Sequence, residues 1–381
     1  MKNIVLNYPK RLVIGLNSLD QMAEDFVALG LLRFFIITVP YIIDRFNPVF
    51  DYLKSKGILI NVDISEDREP TFSDFEKVIS NAKEFKADCV AGIGGGSIMD
   101  VAKIVAALLY TETKIKDVVG NGLLKKRQTH LICIPTTSGT GSEVSPNSIL
   151  LDENDRLKKG IISPYLVPDS VYVDPVLTTS LPPEITAYTG IDALTHCIEA
   201  FVNKNSHPYI DNIALEGINL ISHNLKKAFN NGDDLEARSK LALGSIYGGM
   251  CLGPVNTAAV HALAYPLGSE FNIPHGLSNA LLLPYVMEFN LEADIKRYAK
   301  IALTMGAKKG ETEYKTALNG ILHVKKLIND CKLPSKLSAI GIPSNAINRM
   351  AKSAMNINRL LKNNIREITL NDAINIYKSA Y

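Results

Sequence analysis

The pattern of apolar and polar positions changes halfway along the chain. In the first half, short apolar runs alternate with segments whose apolar residues recur at helical spacing. The apolar runs lie at 34–39, 58–64, 87–93, 130–134 and 171–173, and the helical patterns at 19–29, 41–56, 72–86 and 97–109. This alternation predicts a mostly parallel sheet with helices on both faces.

From Pro182 onward the periodicity is almost entirely helical. The pattern predicts helices over 184–203, 208–229, 234–252, 255–265, 276–290 and 293–306, with further helices after 310, and no strand after about residue 176. The chain of 381 residues exceeds the size at which one core stops growing. We therefore expect an α/β domain over residues 1–181 and an all-helical domain over residues 182–381.

Composition narrows the possible partners and compartments. The 41 Lys and Arg residues nearly balance the 39 Asp and Glu residues, so the net charge of +2 gives no support for a nucleic-acid partner. The five cysteines form no C-x-x-C pair and the first residues lack a signal-peptide pattern, which favours the reducing cytoplasm. The stretch between Lys240 and Glu270 has no charged residue, but its glycines, prolines and His261 indicate buried helices rather than a membrane span.

A glycine cluster follows the third apolar run and opens a helical pattern. Gly94, Gly95 and Gly96 precede Ser97 and Asp100. Without Cβ atoms the backbone N–H groups can approach an anion, and a helix N-terminus adds partial positive charge. This arrangement favours a pyrophosphate site over the alternative of a simple flexible turn, although it matches neither a P-loop nor a regular G-x-G-x-x-G.

A second loop follows the fourth apolar run. Residues 136–145 contain six hydroxyl side chains and two glycines, and the hydroxyls belong to Thr136, Thr137, Ser138, Thr140, Ser142 and Ser145. Read alone, the segment is also compatible with a solvated turn. Two such loops at the carboxyl ends of strands in one sheet favour a dinucleotide crevice.

One carboxylate and three histidines form a candidate metal site in the helical half. Asp192 and His196 are spaced i, i+4 and so lie on one face of a predicted helix. His261 lies in the uncharged stretch, and His275 stands at a predicted helix start. Such a set suits Fe²⁺ or Zn²⁺. Each histidine taken singly is more often a structural residue, and spacing does not prove that the four converge.

Taken together, these segments resemble the iron-containing (group III) alcohol dehydrogenase family. The motifs that carry the resemblance lie in order along the chain: 94–100, 135–143, 192–196, 261–268 and 274–280. The resemblance implies a dehydroquinate synthase-like architecture, with a Rossmann-like dinucleotide-binding α/β domain, an all-α domain, and a site in the cleft between them. It also implies a homodimer or larger homo-oligomer that acts on a small alcohol or aldehyde.

The resemblance further implies a role for individual residues. A divalent metal, Fe²⁺ in preference to Zn²⁺, would be held by Asp192, His196, His261 and His275 and would polarise the substrate oxygen during hydride transfer to or from NAD or NADP. The residues implied at the cofactor are Thr38, Val39, Gly94, Gly95, Gly96, Ser97, Asp100, Thr136, Thr137, Thr140, Ser142, Ser145, Lys158, Thr178 and Leu181.

Two departures from the family pattern bear on this expectation. Tyr265 replaces a histidine that often lies near the substrate, and an unperturbed tyrosine is a poor base at neutral pH. Val39 replaces an acidic residue that binds the adenosine ribose, so NADP is not repelled, although NAD is preferred. The alternatives are a maleylacetate reductase-like enzyme that needs no metal, a dehydroquinate synthase-like enzyme, a metal-dependent hydrolase and a non-catalytic binding module.

Overall fold

The computed structural model describes residues 3–64, 70–154 and 157–381. The chain divides into two compact units, which we call the α/β unit and the helical unit. The α/β unit comprises Leu6–Thr137 and Gly141–Thr178, and the helical unit comprises Met1–Val5, Ser138–Thr140 and Thr179–Tyr381.

The α/β unit is built on a six-stranded parallel sheet, as the alternating pattern predicts. Its elements are β1 (Arg11–Ile14), α1 (Ser18–Ala28), β2 (Arg33–Thr38), α2 (Asn47–Ser55), β3 (Leu59–Ile64), α3 (Phe72–Phe85), β4 (Cys89–Gly94), α4 (Gly96–Leu108), β5 (Gly120–Asn121), β6 (His130–Pro135), β7 (Asn147–Asp152), β8 (Leu157–Ile162) and β9 (Ser170–Val173). The strand order is β1-β9-β6-β4-β2-β3. Every residue of β4 is buried, which explains its unbroken apolar sequence.

The strand register brings three carboxyl ends to one edge of this sheet. Thr38 at the end of β2 is paired with Ile93 of β4, and Gly94 at the end of β4 is paired with Pro135 of β6. The glycine loop after β4 and the hydroxyl-rich loop after β6 therefore begin side by side, as expected for parallel strands.

The structure contains a small second sheet that the sequence pattern did not predict. It has the order β5-β8-β7, with β7 and β8 antiparallel. In β7, buried residues alternate with half-buried ones, and the strand packs against α4. Polar residues stand at both ends of the strand, with Asn147 and Ser148 before Ile149 and Asp152 after Leu151, so residues 147–152 lack a continuous apolar run.

The helical unit contains ten α-helices within the described residues. They are α5 (Pro183–Phe201), α6 (Pro208–Asn230), α7 (Leu235–Leu252), α8 (Ala259–Phe271), α9 (His275–Asn290), α10 (Ile295–Thr304), α11 (Glu313–Asp330), α12 (Ile347–Met355), α13 (Asn358–Leu361) and α14 (Leu370–Ala380). No helix in the described part of the chain is both long and apolar enough to cross a membrane.

The prediction of a helix over 255–265 is wrong at both ends. Asn256 has a φ of 66°, a left-handed conformation that interrupts a helix, and α8 begins only at Ala259. The helix then continues through Pro266 to Phe271. A proline inside a helix removes one hydrogen bond but does not always end the helix.

Candidate metal centre and cofactor loops

Helix α5 supplies the first two side chains of the candidate metal centre. All of its residues from Gly190 to Phe201 are buried, so its polar groups must find partners inside the protein. Asp192 and His196 lie one turn apart, with Asp192 Oδ1 3.9 Å from His196 Nε2. Their i, i+4 spacing on a helix thus brings both groups to one point, as expected.

Two further histidines meet Asp192 from α8 and α9. His261 Nε2 lies 3.6 Å and His275 Nε2 3.7 Å from Asp192 Oδ1. One ligating atom from each of these three residues lies within 4.8 Å of the others. The side chain of His275 is 33% exposed, whereas those of Asp192 and His261 are buried. The cluster therefore opens towards solvent on the side of His275.

Glu199 holds the far side of the His261 ring. Its carboxylate accepts a hydrogen bond from His261 Nδ1 at 2.6 Å and from the backbone N–H groups of Ala258 at 3.0 Å and Val260 at 2.6 Å. A carboxylate that accepts the Nδ1 proton directs the other ring nitrogen, Nε2, away from itself and towards Asp192. Glu199 thus fixes the ring and also satisfies the first N–H groups of α8.

The pKa values show that the centre attracts positive charge. Burial opposes charge on every member, but the carboxylates of Glu199 and Asp192 outweigh it and raise the pKa of His261 to about 10. The neighbouring histidines hold the pKa of Asp192 well below its usual range despite its burial. Burial lowers the pKa of His196 to about 4, so its ring is neutral at pH 7 and suited to bind a metal.

The amide of Asn279 lies at the middle of the cluster. Its Nδ2 is 2.6 Å from Asp192 Oδ1, 3.2 Å from His261 Nε2 and 3.3 Å from His275 Nε2. Its Oδ1 is buried and has no hydrogen-bond partner among the residues that the structure describes. Rotating the side-chain amide by 180° exchanges Oδ1 and Nδ2. Asn279 can therefore offer the cluster one more oxygen as a metal ligand.

The donor set fits a divalent cation. Asp192 is 2% exposed and has no lysine or arginine partner within the described residues, so histidine rings alone face its buried charge. A buried carboxylate is costly unless it is paired or binds a metal. Imidazole nitrogens with a carboxylate oxygen are the donors that Fe²⁺ and Zn²⁺ accept.

Tyr265 borders the exposed side of the cluster. It lies one turn after His261 on α8, and its ring centroid is 6.2 Å from that of His275. Its hydroxyl accepts a hydrogen bond from Arg359 at 2.7 Å. The residue that replaces the family's histidine is therefore paired with a cation.

In the α/β unit, the glycine loop contains two packing glycines and one open glycine. A Cβ on Gly92 would come within 2.8 Å of Ala102, and a Cβ on Gly94 within 2.8 Å of Ile98, so both allow α4 to pack closely on β4. A Cβ on Gly95 would meet only Thr137, at 3.7 Å. Gly95 is the N-cap of α4, and Gly96 and Ser97 form the helix's first turn. The space beside Gly95 at a helix N-terminus suits a phosphate group.

Several residues that were expected to contact the cofactor instead form hydrogen bonds with other residues of the protein. Asp100 accepts hydrogen bonds from Ser142 Oγ at 2.6 Å and from the backbone N–H of Ile149 at 2.8 Å. Lys103, fully buried beneath them, donates to Ser142 Oγ at 2.8 Å and to the carbonyl of Ser145 at 3.0 Å. These bonds fix the course of the hydroxyl-rich loop.

The remaining predicted cofactor residues are distributed over both units. Thr38 donates to the carbonyl of Ile93, and Thr178 donates to that of Pro175. Val39 follows β2 and is buried. Thr136 and Thr137 directly follow β6, Lys158 lies in β8, and Thr140 and Leu181 belong to the helical unit.

Four residues of these sites are missed by the sequence interpretation, namely Lys103, Glu199, Asn279 and Arg359. Glu199 and Lys103 each lie three residues after a polar residue that the sequence does single out, His196 and Asp100, and so share its helix face, which is an available signal for a buried partner. Asn279 and Arg359 carry no such signal, because only the packing of other helices brings them to the centre.

The fold and the centre define a class, a metal-dependent dehydrogenase with a nucleotide-binding α/β unit. The profile described as "Iron-containing alcohol dehydrogenase" matches residues 9–175, and "Fe-containing alcohol dehydrogenase family, C-terminal" matches residues 186–381. The chain belongs to the iron-containing alcohol dehydrogenase family.

Individual relatives resemble nearly the whole chain. Long-chain-alcohol dehydrogenase 1 of Geobacillus thermodenitrificans is 37% identical over 98% of this chain and 96% of its own. The solved structure of an alcohol dehydrogenase from Oenococcus oeni superposes with a TM-score of 0.95 at 29% identity over 100% of both chains. A sulfoacetaldehyde reductase from Bifidobacterium kashiwanohense, solved in complex with NAD⁺, has a TM-score of 0.90 at 26% identity over 100% of this chain and 99% of its own.

Family membership confirms the predicted class, an oxidoreductase acting on CH–OH groups, and the predicted α/β plus helical architecture. Iron or another divalent metal, together with NAD(H), is the cofactor set expected for this class. The metal-independent reductase and the hydrolase are not favoured.

Proposed function

We propose that this enzyme interconverts a small alcohol and its aldehyde, with the metal held by Asp192, His196, His261 and His275. The observation that carries the proposal is the buried Asp192 carboxylate, which faces three histidine rings and no lysine or arginine of the described residues. A divalent cation there supplies Lewis-acid polarisation of the substrate oxygen, and NAD(H) accepts or supplies the hydride.

The protein's own residues prepare this chemistry. Neutral imidazoles with one carboxylate leave a divalent cation with net positive charge, which keeps the centre electrophilic. His275, as the exposed member, lies where a substrate can enter from solvent. Glu199 orients His261, and Tyr265 contributes an aromatic wall and a hydroxyl beside His275. We assign Tyr265 to substrate contact rather than to proton abstraction.

We propose that the α/β unit binds the dinucleotide at the loops after β2, β4 and β6. The open backbone at Gly95 and the N-terminus of α4 support a pyrophosphate site there. Asp100, Ser142 and Ser145 support the loop from behind through Lys103, and the other predicted residues of the α/β unit line the cofactor. NAD is the preferred coenzyme, although Val39 offers no carboxylate to repel a 2′-phosphate. Residues 1–181 would then form the dinucleotide-binding domain and residues 182–381 the metal-binding domain.

We further propose a cytoplasmic homodimer or larger homo-oligomer. All five cysteines are free and buried, which suits a reducing compartment. Strand β1 is at the outer edge of its sheet and pairs only with β9 among the described strands, so it can pair with a second copy. Sedimentation analysis of the purified protein tests the assembly, and a monomer at micromolar concentration would contradict it.

The activity is tested by following nicotinamide absorbance anaerobically with a panel of short aldehydes. NADH and NADPH are compared with added Fe²⁺, with added Zn²⁺ and after chelation. We expect turnover that is lost on chelation and in His261→Ala. Turnover that survives chelation would refute the metal's role. NADH binding without any turnover would show that the proposed substrate class is wrong.

A further inference from the structure

Among the described residues, one arginine near the candidate metal centre has no acidic partner. Arg359 belongs to the short helix α13 and donates from its guanidinium to Tyr265 Oη at 2.7 Å. The guanidinium carbon lies 5.6 Å from the centroid of the Tyr265 ring. No carboxylate of the described residues forms an ion pair with it. The charge of Arg359 is therefore not balanced within its own unit.

Four other arginines belong to the helical unit, and one of them, Arg366, is exposed and donates to the carbonyl of Phe289. Arg349 pairs with Glu270 at 2.7 Å, and Arg297 pairs with Asp211. Arg238 is fully buried and donates to Thr186 and to a backbone carbonyl. Arg359 differs from these four because it is half-buried and, among the described residues, its guanidinium contacts only the hydroxyl and the ring of Tyr265.

Arg359 lies on the solvent-exposed side of the metal centre, next to Tyr265. His275 is the exposed member of the cluster, and the Tyr265 ring lies 6.2 Å from the His275 ring. Arg359 lies on this ring, 5.6 Å from its centroid. A substrate whose oxygen lies at the cluster can thus direct its other end along Tyr265 towards the guanidinium.

We propose that Arg359, held by Tyr265, binds an anionic group on the substrate, so that the preferred aldehydes carry a carboxylate or a sulfonate. The inference rests on the proposed function and specifies its substrate class. A guanidinium offers paired N–H donors that match both anions, and a half-buried arginine binds them more strongly than an exposed one. Tyr265 keeps the guanidinium in place, which lowers the entropy lost when the anion binds.

The first test compares anionic aldehydes with neutral molecules of the same shape. The matched pairs are 4-oxobutanoate with 4-oxobutanamide, which probes a carboxylate, and sulfoacetaldehyde with 3,3-dimethylbutanal, which probes a sulfonate. We expect wild-type kcat/KM to favour the anion in at least one pair, mainly through KM. The pair with the larger preference identifies the anion.

The decisive variant is Arg359→Gln, with Arg359→Lys as the conservative change. Loss of a charge-assisted contact predicts that the anion-to-neutral ratio of kcat/KM falls about 10–100-fold in Arg359→Gln. Arg359→Lys keeps the charge but not the paired donors, so it restores part of the ratio. Arg349→Gln removes an arginine of the same unit from its ion pair with Glu270 and is expected to leave the ratio unchanged.

A binding measurement separates this inference from the proposed activity. Titration calorimetry of the Zn²⁺-loaded protein with succinate needs no turnover, and we expect weaker binding in Arg359→Gln than in wild type or Arg349→Gln. Equal succinate binding, or an equal loss on both members of each pair, would overturn the assignment. Good turnover of neutral aldehydes alone would overturn it too, while the proposed dehydrogenase function would stand.

Discussion

Replacing Glu199 tests how the metal centre is held. Glu199→Ala removes the acceptor for His261 Nδ1 and for the backbone N–H groups of Ala258 and Val260. Two buried N–H groups then lose their partner, at about 1–3 kcal/mol each, so the free energy of unfolding should fall by about 2–6 kcal/mol. Since His261 also loses the group that orients it, metal affinity should fall about 10–100-fold.

The assay measures metal affinity and stability separately. Zn²⁺ affinity is obtained by competition with a chromophoric chelator, and stability by urea unfolding of the metal-free protein. Glu199→Gln keeps one oxygen acceptor of similar shape but not the charge, so it should fold well and lose less affinity than Glu199→Ala. This variant keeps the test informative if Glu199→Ala folds poorly.

The matched control is Asp234→Ala. Asp234 caps α7 by accepting the backbone N–H of Ala237 at 2.9 Å, and it takes no part in the metal centre. Its loss should cost about 1 kcal/mol and leave Zn²⁺ affinity unchanged. If Glu199→Ala also lowered stability while binding Zn²⁺ as wild type does, Glu199 would be only a cap for α8, and the reasoning would be refuted.

Three further predictions concern other parts of the two units. Gly95→Ala places a methyl group in the open space near Thr137, so NADH affinity should fall about tenfold or more, by calorimetry, with little change in stability. Gly276→Ala would bring a Cβ within 2.3 Å of the Tyr188 carbonyl oxygen, so α9 must shift together with its metal ligand His275. Thermal unfolding should show a free energy of unfolding lower by about 1–3 kcal/mol and a smaller Zn²⁺-induced rise in Tm. Burial raises the pKa of Glu143 from 4.5 to about 7. The protonated carboxyl therefore contributes fully to the free energy of unfolding below pH 4.5, and this contribution is lost as the pH rises to 7. Glu143→Gln should remove this pH dependence, worth up to about 3 kcal/mol, in urea unfolding between pH 5 and pH 8.

Each of these has its own control or contrary outcome. Gly94→Ala, whose Cβ would come within 2.8 Å of Ile98, should lower stability, unlike Gly95→Ala. Unchanged NADH affinity in Gly95→Ala would argue against a phosphate at that glycine. A full Zn²⁺ response in Gly276→Ala would separate α9 packing from metal binding. Parallel pH profiles of wild type and Glu143→Gln would mean that Glu143 keeps an ordinary pKa.

The four inner strands of the central sheet, β9, β6, β4 and β2, were predictable from local pattern because they are buried on both faces. The sequence of β4 is apolar throughout and ends in glycines, which leaves little alternative to a core strand followed by a turn. The pair β7 and β8 was not predictable in this way. Polar residues or glycine interrupt the apolar residues of each strand, so its strand character depends on pairing with its neighbour and, for β7, on packing against α4.

The sequence by itself determined the class of the protein, the inner strands of its central sheet, and the pairing of Asp192 with His196, because i, i+4 spacing on a helix brings two side chains together without help from the rest of the fold. Only the tertiary structure decided that His261 and His275 reach the same carboxylate and that Glu199 orients His261 across 62 positions of sequence. Local periodicity specifies which face of a helix is apolar. It does not specify which helices pack together, and that packing alone sets the distances between donors on α5, α8 and α9.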